Sequence, residues 1–272
     1  MLNVKIGCQP ILWKNTPLEQ VAREIADIGF DGIETPVRLY KDRMDDLKRL
    51  LEETGLAVSA VFTGGYYIDP ATREEEIRRV VETAKLLPGL GCTTLISAPG
   101  GLRKDRKAYS LAEYRAFCQA LNEVGRRVAD LGVTQVFHNH AWTLIETWLE
   151  VDIVCEYTDP RYLKMGFDTG HLYLGWADPV EVLRTYADRV AYLHLKDVRG
   201  RADHWASLKS DEGCWVELGA GEVDLAGILR VLGEHGYSGW LTYEQDRSKI
   251  PAREAATISL AHARKLVAPY AK

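Results

Sequence analysis

Short apolar runs alternate with helix-like stretches from one end of this 272-residue chain to the other, and that alternation leaves few folds open. The runs at 4–8, 30–34, 56–62, 92–97, 133–137, 162–167, 190–195 and 240–244 read as strands. Between them, apolar residues recur at helical spacing. Val21, Ile25 and Ile28 form one such stripe, closed by Gly29. Its start is marked by Thr16 as cap, Pro17 at the first helical position and Glu19 in the first turn. Further helices are expected at 42–54, 73–87, 110–131, 149–157, 178–186, 224–235 and 251–267. Ser110 and Glu113 have the spacing of a capping box, and Asp178-Pro179 opens another helix. Buried strands alternating with helices call for a parallel sheet covered by helices. Eight of each over this length predict one (β/α)₈ barrel domain spanning 1–272. A doubly wound open sheet would carry a glycine-rich phosphate turn after its first strand. Gly7-Cys8-Gln9-Pro10 is not such a turn.

A parallel barrel gathers whatever follows its strands at one open mouth. Here those positions are dense in carboxylates and imidazoles. Asp168 and His171 follow the sixth run, His194 and Lys196 end the seventh, and Glu244 ends the eighth. Period-two alternation places His194 and Lys196 on one face and Leu195 on the other. His138-Asn139-His140 follows the fifth run, with Glu146 six residues beyond His140. A few carboxylates with one imidazole form an oxygen-rich site for Mn²⁺ or Mg²⁺, tolerant of Co²⁺, Fe²⁺ or Zn²⁺. Asp168, His194 and Glu244 are candidate ligands. Spacing leaves the fourth open between Glu146, which suits hard-cation chemistry, and His138, which is better placed at a strand end. His140, His171 and Lys196 are candidates for proton transfer, with Lys196 expected at a depressed pKa beside a cation. Glu34, Trp13, Asn15, Tyr66 and Tyr67 follow the first three runs and are positioned to line the mouth.

The connection 198–223 is unusually long for a compact domain and carries Arg199, Arg201, Asp203, His204, Trp205, Lys209 and Trp215. It reads equally as a lid, with Arg199 reaching substrate, or as a packed surface loop. A net charge of −5 without a basic block argues against nucleic acid, and hence against a DNA-repair nuclease. The five cysteines are widely spaced with no CxxC pair, a pattern of reduced cytoplasmic proteins. No signal-peptide pattern and no membrane-length apolar run is present. A non-catalytic sugar-binding barrel is the remaining alternative to an enzyme.

Five segments carry a resemblance: 10–15 (PILWKN), 138–147 (HNHAWTLIET), 167–171 (FDTGH), 194–199 (HLKDVR) and 236–246 (GYSGWLTYEQD). Through them the chain resembles the xylose-isomerase-like barrels, a superfamily of sugar isomerases, epimerases and dehydratases. Within that group it looks most like the inosose (2-keto-myo-inositol) dehydratases. The resemblance implies a divalent metal, most simply Mn²⁺, on Glu146, Asp168, His194 and Glu244. His140, His171, Lys196 and Glu244 are the candidates in catalysis, and Trp13, Glu34, His138 and Arg199 those around the substrate. The implied reaction is dehydration of a cyclic keto-polyol through an enediolate. Isomerisation or epimerisation of a ketose or keto-acid would use the same intermediate. A homodimer or homotetramer acting on a small polyol or keto-sugar is the implied assembly, with neither nucleic acid nor membrane as partner.

Overall fold

The computed structural model describes residues 2–35, 37–101, 108–201 and 213–270. Its strands are β1 (Asn3–Cys8), β2 (Gly32–Thr35), β3 (Ala57–Gly65), β4 (Thr94–Pro99), β5 (Thr134–Phe137), β6 (Leu163–Asp168), β7 (Val190–Leu195), β8 (Asp197–Val198), β9 (Trp215–Val216) and β10 (Ser238–Tyr243). Eight of them close a parallel barrel in the order β1-β10-β7-β6-β5-β4-β3-β2. β8 and β9 form a separate antiparallel ribbon at the base of the long connection. Asp203, His204, Trp205 and Lys209 of that connection lie outside the described residues.

The described helices are α1 (Leu18–Ile28), α2 (Met44–Thr54), α3 (Arg73–Ala84), α4 (Leu111–Ala129), α5 (Trp148–Tyr157), α6 (Thr169–Leu174), α7 (Pro179–Thr185), α8 (Leu225–Glu234) and α9 (Ala252–Val267). α1 buries Val21, Ala22 and Ile25 and ends at Gly29, whose φ of 101° suits glycine. The expected cap at Thr16 is displaced. Pro17 takes the capping position with an extended ψ of 139°, so the helix begins at Leu18. The Ser110–Glu113 capping box forms as expected, and Asp178 caps α7 through the Val180 and Glu181 amides. α6 was not read from the sequence. It is six residues long and nearly all buried, so it shows no amphipathic stripe.

The apolar core is double. Between strands and helices lie residues such as Ile25, Phe117, Phe167 and Leu193. Inside the barrel, Ala60, Ile96, Val136 and Tyr192 pack together. The Tyr192 hydroxyl lies 2.6 Å from Thr242 Oγ1 and 3.1 Å from Ser59 Oγ, which satisfies it inside the barrel. Inward-facing Tyr192 sets the phase for β7, so His194 also points into the barrel, one layer nearer the mouth.

Gly125 shows how closely α4 seats on the barrel. A Cβ there would lie 2.3 Å from the Tyr162 carbonyl oxygen and 2.8 Å from Gln135 Oε1. Backbone cannot yield as a side-chain tip would. Gly125→Ala is therefore expected to destabilise the fold by about 2–3 kcal/mol, despite alanine's better helix propensity. Chemical denaturation measures this, and an unchanged midpoint would contradict the packing.

Candidate metal centre at the barrel mouth

The strand ends do converge. Asp168 of β6 pairs in register with His194 of β7, and His194 with Thr242 of β10. Glu244 follows immediately, its amide donating to the Leu195 carbonyl at 3.1 Å. His138 arrives from the end of β5, with Nδ1 2.9 Å from His194 Nδ1. On its other edge, His194 Nε2 donates to Glu34 Oε2 at 2.8 Å and lies 3.4 Å from Glu244 Oε2. Asp168 and His194 are fully buried, and Glu34 and Glu244 nearly so.

Asp168 does two things at once. Its Oδ1 accepts the His171 amide at 2.7 Å, capping α6. Its Oδ2 is buried without a hydrogen-bond partner. Asn139 holds the Asp168 backbone from both sides, accepting its amide at 2.9 Å and donating to its carbonyl at 3.3 Å. That clamp had no signal in the sequence beyond an asparagine between two histidines.

Lys196 is completely buried and meets three carboxylates. Its Nζ lies 2.7 Å from Glu244 Oε1, 3.0 Å from Asp246 Oδ2 and 3.4 Å from Asp168 Oδ2. The face of Trp215 sits 4.5 Å away. Burial works to lower the lysine pKa, but Asp168, Asp246 and Glu244 together outweigh it and hold the group well above its usual range. With these three carboxylates as its neighbours, Lys196 is held in its charged form.

The remaining groups follow the same balance of burial and charge. Burial raises Asp168 to about 6 although Lys196 opposes it. Glu244 is lowered: burial pushes it up, and Lys196 with His194 pulls it further down. His194 resists the effect of burial because Glu244 and Glu34 favour its protonated form, which places it at about 9. Burial lowers His138, His140 and His171, leaving all three neutral. His140 and His171 stack at 3.8 Å between centroids, with Trp142 and Trp215 edge-on to His171.

Two donor sets emerge among the described residues: His138–Asp168–His194 and Asp168–His171–Glu244, each with its ligand atoms within 4.8 Å of one another. The unpartnered oxygens of Asp168 and Glu244 sit within them. Carboxylate oxygens and imidazole nitrogens without a thiolate fit a divalent ion such as Mn²⁺, Fe²⁺, Co²⁺ or Zn²⁺. Glu146 belongs to neither set. Its amide and that of Thr147 donate to Glu150 Oε2 at 2.7 and 2.8 Å, and the Tyr114 hydroxyl donates to Glu150 Oε1 at 2.6 Å. Arg199 is also apart from the cluster, exposed, with its guanidinium donating to the Ala220 carbonyl.

Beside Glu34 opens a cavity of about 370 Å³, lined by Gln9, Trp13, Thr35 and Phe62 among others. The buried Trp13 indole donates to Glu24, which leaves its ring as wall. Glu34 Oε1 has no hydrogen-bond partner. The five cysteines are free, and burial raises the thiols of Cys92, Cys118 and Cys155 to about 11, 12 and 12, so none of these is a ready nucleophile.

A family model described as xylose isomerase-like TIM barrel matches residues 22–266. An inosose dehydratase of Geobacillus kaustophilus (strain HTA426) is 29% identical over 89% of this chain and 87% of that protein. The structure of an IolI protein with a bound zinc atom superposes with a TM-score of 0.81 at 19% identity, covering 98% of this chain and 99% of that one. An L-ribulose 3-epimerase structure gives a TM-score of 0.80 at 19% identity, over 98% and 95% of the two chains. No described helix is long and apolar enough to cross a membrane.

Proposed function

Because the chain belongs to the xylose isomerase-like TIM barrel family, as an enzyme of its dehydratase, isomerase and epimerase class, we propose that it is a metal-dependent lyase removing water from a cyclic keto-polyol such as 2-keto-myo-inositol. One observation supports this most: a buried nitrogen and oxygen donor set stands beside a neutral imidazole of defined tautomer at a single mouth. The proposed ligands are His138, Asp168 and His194, with Glu244 adjoining them. His138 thus takes the place that the family resemblance gave to Glu146. Mn²⁺ remains the proposed ion, and the added nitrogen brings Zn²⁺, Co²⁺ and Fe²⁺ closer to it. When bound, the ion supplies positive charge that polarises the substrate carbonyl and favours the enediolate.

The chain's own groups then divide the work. His140 Nδ1 lies 2.6 Å from the Ala141 carbonyl oxygen, which can only accept, so Nδ1 carries the proton and Nε2 the lone pair. Burial keeps the ring neutral and therefore competent as a base. His140 Nε2 takes the proton next to the carbonyl, and the Ala141 oxygen stabilises the imidazolium. The same ring returns that proton to the departing hydroxyl, so one water leaves per turnover and the residue is restored. Lys196 faces the enediolate as a fixed positive charge. Glu34 and Trp13 offer a hydroxyl acceptor and an apolar wall.

His140→Asn should lower kcat by about 10²- to 10⁴-fold while leaving metal content unchanged. Kinetics and elemental analysis of one preparation check both halves. The activity itself is tested by incubating the Mn²⁺-loaded protein with 2-keto-myo-inositol in D₂O. A product lighter by one water supports the dehydratase. An isobaric product carrying deuterium identifies an epimerase or isomerase instead, and unchanged substrate removes this compound as the substrate.

A further inference from the structure

We infer that the Lys196 ammonium occupies the place of a second divalent ion, and that this one side chain restricts the mouth to a single metal. The inference rests on the metal-dependent reading above. The two donor sets share Asp168, as the two halves of a dinuclear site would. The second set, however, already encloses a cation. Around Lys196 Nζ stand Glu244 Oε1 at 2.7 Å, Asp246 Oδ2 at 3.0 Å, His171 Nε2 at 3.2 Å and Asp168 Oδ2 at 3.4 Å. Three carboxylates and an imidazole on one buried point suit a divalent ion better than a monovalent one. The ammonium leaves this environment incompletely satisfied, since Asp168 Oδ2 and Asp246 Oδ2 are buried without hydrogen-bond geometry to any partner.

The route of the lysine into the set is built in. A Cβ on residue 170 would lie 2.8 Å from Lys196 Cγ, so Gly170 makes room for the stem. The backbone at Lys196 is anchored by its amide donating to Thr169 Oγ1 at 2.9 Å and its carbonyl accepting from the same hydroxyl at 2.7 Å. Truncation at Cβ therefore removes the cation and leaves its four partners facing an ion-sized space. Ligand distances of about 2.0–2.2 Å require inward movements near 1 Å, within reach of side-chain rotation in Glu244 and Asp246.

The test is metal stoichiometry of the full chain after equilibration with Mn²⁺ and removal of free ion, read by elemental analysis. Wild type and Lys196→Arg, which keeps a cation, should hold one ion per chain. Lys196→Ala should hold two, and its paramagnetic resonance spectrum should show coupling between neighbouring Mn²⁺ ions. One ion or none in Lys196→Ala overturns the inference. Wild-type protein supplies a reading independent of how the variant folds: saturation at one ion in excess Mn²⁺ supports the inference, and saturation at two overturns it. No ion in wild type overturns the metal-dependent reading itself, and this inference with it.

Discussion

On the metal-dependent reading proposed above, the His194→Ala protein is expected to lose its divalent ion and about a thousandfold or more of its turnover. His194 joins three groups at the mouth, touching His138, Glu34 and Glu244 with its two nitrogens. Alanine removes one ligand and leaves Glu34 buried without the charge that offsets its desolvation. Metal stabilisation of developing oxygen charge amounts to several kcal/mol, and each 1.4 kcal/mol is tenfold in rate. Elemental analysis and kcat should therefore fall together. His194→Gln keeps a polar group against Glu34, and circular dichroism of both variants separates loss of metal from loss of fold. Full turnover in a folded His194→Ala protein would show that the cluster is not the catalytic centre.

Asp197→Ala should be the most destabilising single change considered, at about 3–5 kcal/mol, or roughly a 10 °C fall in Tm. A charged side chain is ordinarily left in solvent. Instead, the side chain is buried and gathers four backbone amides. Its Oδ1 accepts from Val198 and Val223 at 2.9 and 3.1 Å, and its Oδ2 accepts from Gly219 and Gly221 at 2.9 and 3.0 Å. Gly221 has to be glycine for this grip, because a Cβ would lie 2.1 Å from Asp197 Oδ1. The carboxylate thereby ties down the return of the long connection, which carries Trp215 over Lys196. Four donors lose an acceptor at once, two of them on the buried residues Val198 and Val223. Asp197→Asn should lie between wild type and alanine, since it retains one acceptor oxygen. Thermal unfolding of the two variants gives the order, and an unchanged Tm for Asp197→Ala would contradict it.

Much of the fold was legible because its signals are local. The capping box at Ser110, the stop at Gly29 and the eight apolar runs each act within a few residues. Asp168, His194, Lys196 and Glu244 were legible for a related reason. A charge at the end of a buried strand has to be paired or bound to something. What escaped was whatever depends on distant pairing. Nothing near Glu34 announces a hydrogen bond to a histidine 160 positions away. Asp246 lies three residues past the end of β10, and only the fold brings it to Lys196. For the ligand set proposed above, position relative to a strand end favours His138 over Glu146. His138 follows β5 directly and faces inward, whereas Glu146 lies beyond a turn whose amides are taken by Glu150.

The most direct test of the whole account removes the metal. A chelator-stripped sample and the same sample reloaded with Mn²⁺ are each given 2-keto-myo-inositol, and the rate of water loss is followed by mass spectrometry. The account predicts negligible turnover after stripping and recovery in proportion to bound ion, complete at one per chain. Undiminished water loss from the stripped protein would contradict it.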